Sequence, residues 1–177
     1  MLRMIAALGL ASAATIATAA TTNIAALDSA APWWEKVTVT ISGDGQPQAC
    51  QFESSIKATQ PCDVVASPAA VAKAASGPKD SYTRITFERR FSPNTPDPTG
   101  LPTGDTLLGQ QVMALAIGAK GTVDNCEIVS ASGDMRPEYG CKEASAEKFH
   151  ASAQTGAATA KKAYMTILVY GHSEHVV

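Results

Sequence analysis

The chain has 177 residues, with 14 Lys and Arg against 16 Asp and Glu, giving a formal net charge of −2. That mild acidity excludes the basic face that nucleic-acid binding needs. The low charged content, 17%, with abundant alanine suits a small-cored exported protein.

In chain order, residues Met1 to Ala19 carry the three parts of a secretory signal. Arg3 charges the start, Ile5 to Ile16 form a short apolar stretch, and Ala17-Thr18-Ala19 offers small residues for cleavage after Ala19 or Ala20. No cysteine follows the apolar stretch, so no lipoprotein anchor is expected. An uncleaved membrane anchor is the alternative, and the shortness of the stretch counts against it. No later run approaches membrane-spanning length, so the mature protein is expected to be soluble, and periplasmic or secreted.

A first unit is predicted over 33–91. Val37, Val39 and Ile41 alternate with threonine, the period of a half-buried strand. Gly43-Asp44-Gly45 is a turn signal, and Gln48 to Ser54 returns as the second strand of a hairpin. Ser67 and Pro68 open a predicted helix that Gly77-Pro78 stops. Tyr82 to Phe91 is the third strand. Residues 92–107 hold Pro93, Pro96, Pro98 and Pro102 with Gly100 and Gly104, and read as a linker or surface loop.

A second unit is predicted over 108–171. Val112 to Ile117 and Thr122 to Ser130 make a hairpin around Ala119-Lys120-Gly121. Ser132-Gly133-Asp134 breaks the chain. Pro137 to Phe149 reads as a helix, weakened at Gly140 by about 1 kcal/mol relative to alanine. Lys162 to Tyr170 is the last and most apolar strand, either central or an exposed edge.

The second unit repeats the first. Ile41 matches Ile117, Gly45 matches Gly121, and each glycine precedes a cysteine by the same interval. Tyr82 to Phe87 matches Tyr164 to Val169. The expected fold is therefore α+β, built from two tandem strand–strand–helix–strand units.

Four cysteines, Cys50, Cys62, Cys126 and Cys141, follow a secretory signal, so disulfides are the first reading. Three pairings are possible. Spacing favours Cys50–Cys62 and Cys126–Cys141, one within each unit, where each would clamp helix to sheet. A loop of this size contributes about 3 kcal/mol in the chain-entropy model. The rival is a four-thiolate zinc site, against which stands the lack of any C-x-x-C.

The run from Gly121 to Gly133, the Cys141 to Ser152 segment with Phe149-His150-Ala151-Ser152, and Gly156 before the last strand resemble the C-terminal domain of the TonB energy-transducer family. The resemblance is best over 108–170 and reaches 36–91 only through the internal repeat. It implies a strand–strand–helix–strand module, and its cysteine pair is similar to that of exported TonB-like proteins. The Phe149 motif lacks the family's proline, and a long proline-rich spacer is missing. Energy transduction to outer-membrane receptors is thus expected only if the N-terminus stays as an anchor.

Signals for chemistry are sparse. The histidines are His150, His172 and His175. His172, Glu174 and His175 offer a metal-ligand set, against the simpler reading of a solvated tail. No G-x-S-x-G, phosphate loop or C-x-x-C occurs, so no catalytic residue and no cofactor are expected. Asp44, Asp63, Asp124 and Glu127 read as solvated carboxylates. Trp33 and Trp34 form a binding patch or cover the open end of the core, core cover being the simpler reading. Tyr164 and Tyr170 mark the last strand as a binding surface. Arg89-Arg90 reads as a site for an acidic partner or as edge-strand charge.

The expected function is a non-catalytic periplasmic protein-interaction module. Its partner would be a protein of the periplasm or outer membrane, bound by strand addition. The two units pairing with each other, or a homodimer, would use up the same edges. The other expectation is a small exported metal-binding protein or enzyme.

Overall fold

Alternating side chains build two hairpins, and the third strand of each half joins them. The computed structural model describes residues 26–43, 45–57, 60–61, 82–97, 100–135, 137–151 and 160–173. Its strands are β1 (Trp33–Ile41), β2 (Pro47–Ser54), β3 (Gln60–Pro61), β4 (Arg84–Pro93), β5 (Asp105–Ile117), β6 (Val123–Gly133) and β7 (Lys161–His172). One helix, α1 (Cys141–Ala146), is present among the described residues. The strands form a single antiparallel sheet in the order β3-β2-β1-β4-β7-β5-β6. The predicted hairpins are both there, β1 with β2 and β5 with β6. The halves meet at β4 and β7, which pair from Arg84↔His172 to Pro93↔Ala163.

The period of two sorts side chains onto two faces. One face carries Trp33, Phe91, Met113 and Met165, buried with Ala144 and Phe149 over the second half. Val39, Ile41, Ile85 and Val169 form a neighbouring cluster. The other face carries hydroxyl and charged groups, among them Thr38, Thr86, Glu88 and Tyr170, and the latter three are buried. The loop after β4 reaches back over this face, where Arg90 Nη2 donates to the Gly100 carbonyl at 3.2 Å.

The α+β expectation is corrected. The fold is β-rich, and among the described residues helix is confined to six residues of the predicted 137–149 segment. The cause is local. Gly140 is extended and serves as N-cap, with its N–H donating to Glu143 Oε2 at 2.9 Å. Glu147 is extended again, and Lys148 and Phe149 pair as isolated bridges with Thr122 and Leu27. The predicted helix after Ser67 and the signal segment lie outside the described residues, as do Asp44 and Asp63. The stretch expected as a linker is shorter than 92–107, since β4 runs on to Pro93 and β5 starts at Asp105. β7 is interior, not an edge, and so is β4 with Arg89 and Arg90.

Candidate functional site

The long free edge of the sheet is β6. It pairs with β5 alone, and almost every residue along it is exposed. Among the described residues Ile128 and Val129 are the most exposed large apolar residues, at 51% and 49%. The ladder places Met113 opposite Ile128 and Val112 opposite Ser130, so Val129 is the extra residue of a bulge. Asp124 and Glu127 charge the first part of the strand, whereas Ile128 to Gly133 carries no charge. Natural edge strands are usually blunted by charge or proline. At its start the outer edge is taken, because Thr122 bridges Lys148 and the Phe149 N–H donates to the Gly121 carbonyl at 2.8 Å. Beyond Val123, no strand among the described residues covers it.

Two devices hold this edge in place. A disulfide joins Cys126 on β6 to Cys141, the first residue of α1, across a Cα–Cα distance of 5.5 Å. Behind it lies a partly buried ion network around the buried Glu35. Arg89 Nε donates to Glu35 Oε2 at 2.7 Å, and Arg89 Nη1 donates to Glu147 Oε1 at 2.6 Å, just past the end of α1. Lys57 Nζ lies 2.9 Å from Glu35 Oε1. The Arg89 guanidinium sits 5.2 Å from the Trp33 ring and 5.6 Å from the Tyr139 ring. Burial works against the Arg89 charge, but Glu35 and Glu147 outweigh it and raise its pKa. Burial also disfavours the Glu35 carboxylate, yet Arg89 and Lys57 hold its pKa below the ordinary value.

The predicted site residues do not gather into one patch. Trp33 is buried on the core face, stacked on Phe91 with centroids 5.4 Å apart, and its Nε1 donates to the Asp28 carbonyl. Trp34 faces the other way, with Lys36 Nζ 5.3 Å over its ring. Tyr164 is half-buried on the same polar face, under Lys162. Tyr170 is buried there, and its hydroxyl donates to Glu88 Oε2 at 2.9 Å. Burial pushes this phenol above its usual range, and the Glu88 carboxylate adds to the shift. His172 Nδ1 lies 2.8 Å from Asp105 Oδ1. Glu174 and His175 lie outside the described residues. Among the described residues no three His, Cys, Asp or Glu side chains are grouped to hold a metal ion. Cys50 is disulfide-bonded, and Cys62, its expected partner, lies outside the described residues.

Sequence reading missed β6 as the free edge. The signal present was the uncharged run from Ile128, but only strand order tells an edge from an interior strand. Comparison of the chain with known protein families, with curated proteins and with solved structures gives no match.

Proposed function

We propose that the chain is an exported, non-catalytic interaction module that takes an extended segment of a protein partner as an added strand along β6. The observation that carries this reading is the exposed, uncharged second half of β6, with Ile128 and Val129 open to solvent. Such an edge offers main-chain hydrogen bonds for affinity and alternate side chains for specificity. The disulfide Cys126–Cys141 supports an oxidising compartment, and so supports export.

The test compares capture of cell-envelope proteins by the intact protein and by an Ile128→Lys, Val129→Lys variant. Both side chains are half-exposed, so the variant keeps its melting temperature. A charged edge strand resists pairing, so the captured partner is lost. Gln48→Lys, on β2 near the other end of the sheet, retains it. Equal capture by the β6 variant rules the reading out. The TonB resemblance makes outer-membrane receptors the first partners to score. Energy transduction is the narrower form of this proposal and requires Met1 to Ala19 to remain attached, which N-terminal sequencing of the exported protein decides.

A further inference from the structure

A second feature lies on the sheet face away from α1. A cleft of about 840 Å³ opens there over β2, β1, β4 and β7, walled by Pro102, Thr103 and Asp105. That volume falls within the usual range of small-molecule sites, about 300–1,000 Å³. Among the described residues no leucine, isoleucine, valine or phenylalanine lines it, so an apolar ligand would bury little against them. Most of its floor consists of β1, β4 and β7, strands paired on both sides, whose backbone groups are engaged in ladders, and β2 at its margin is paired with β1 and, at Gln51 and Phe52, with β3. An extended peptide therefore finds no edge to join on β1, β4 or β7, and recognition over that floor falls to side chains.

Register arranges those side chains in rows. Thr40, Arg84, His172 and Asp105 stand side by side across β1, β4, β7 and β5. Thr38, Thr86 and Tyr170 form the next row. Two of the polar groups are already engaged: Lys36 Nζ lies 3.0 Å from Glu53 Oε2, and His172 Nδ1 lies 2.8 Å from Asp105 Oδ1. Arg84 is exposed and has no ion-pair or hydrogen-bond partner for its guanidinium among the described residues. The Thr40 hydroxyl and Gln51 amide are likewise without side-chain partners among the described residues. The Thr38 and Thr86 hydroxyls share one hydrogen bond of 3.1 Å, which leaves one donor and several lone pairs for a ligand.

We propose that this cleft binds a small hydroxylated monoanion of the sugar-acid class. The carboxylate meets the Arg84 guanidinium, which suits bidentate carboxylate recognition. The ligand hydroxyls meet Thr38, Thr40 and Gln51. Glu53 and Asp105 flank the site and repel a second negative charge, which disfavours phosphate dianions.

The experiment is calorimetric titration of the whole protein with D-glucuronate, with D-glucose and acetate as comparators. Glucuronate binds more tightly than either. A charge-assisted hydrogen bond contributes enough that Arg84→Gln weakens glucuronate about tenfold or more, with an unchanged melting temperature. Thr40→Val, on the same row, weakens it as well and guards against a misfolded Arg84 variant. Failure of glucuronate to bind, equal affinity for glucose, or full affinity in Arg84→Gln overturns the proposal.

Discussion

At the scale of single residues, Arg89 is the most consequential side chain. Its guanidinium bonds Glu35 from a facing strand and Glu147 from the end of α1, between two aromatic rings. Breaking a buried pair leaves its partners uncompensated, so Arg89→Ala is expected to lower stability by about 3–5 kcal/mol in urea unfolding. The sign of the pH effect follows from Glu35. Its folded pKa is depressed below 4.5, so its contribution is complete above that value and is lost as pH falls through the folded pKa. The melting temperature is therefore expected to drop as pH falls below about 4.5, and to drop less steeply in Glu35→Gln. The sequence showed Arg89-Arg90 only as adjacent charges, because both carboxylate partners are brought in by register and by the exit of a short helix. The matched glycines were legible. Gly45 and Gly121 have φ of 79° and 77°, a region glycine enters at no steric cost. A Cβ at Gly121 would also run into the Phe149 carbonyl oxygen. Gly121→Ala is accordingly expected to cost at least about 1–3 kcal/mol, read by the same unfolding assay.

At the scale of elements, the first hairpin was legible because alternating threonine and valine in β1 fixes both period and face, and the second through its match to the first. The fold class was not. A helix over 137–149 would carry Cys141, Ala144 and Phe149 on roughly one face, but Gly140 caps it late and Glu147 leaves it early to reach Arg89. What remains is six residues, far below the length at which an isolated helix holds itself in water. Its place depends on the Cys126–Cys141 bond, which closes a sequence separation of 15, and on the burial of Ala144. Removing that bond with a Cys126→Ser, Cys141→Ser pair is expected to cost about 3 kcal/mol in the chain-entropy model. The loss should be local before it is global. Amide exchange should accelerate first over 141–146 and along β6, while β7, paired on both sides, stays protected. Uniform acceleration across all strands would show instead that the bond stabilises the whole sheet equally.

At the scale of the whole molecule, a hairpin followed by a third strand occurs twice, as β1, β2 and β4 and as β5, β6 and β7, but the adjacency of these parts was not legible. Nothing in Tyr82 to Phe91 or Lys162 to Tyr170 says which of their edges meet. The polar cleft was hidden for the same reason, since Thr40, Arg84, His172 and Asp105 become neighbours only across four strands. The β4–β7 junction runs ten pairs and brings Phe91 opposite Met165, both buried in the shared core. Each half alone would expose a long unpaired strand edge, a template for aggregation. Truncating one such buried side chain typically costs about 2–5 kcal/mol, so separation of the halves is far costlier than a single cut in the chain. A protease site inserted after Gly100, in the segment between β4 and β5, is therefore expected to yield a nicked protein whose fragments co-elute in native gel filtration. Its urea unfolding should remain a single transition by both tryptophan fluorescence and far-ultraviolet circular dichroism. Fragments that part in native buffer, each keeping its own ellipticity, would mean that the halves fold independently and that the central pairing contributes little.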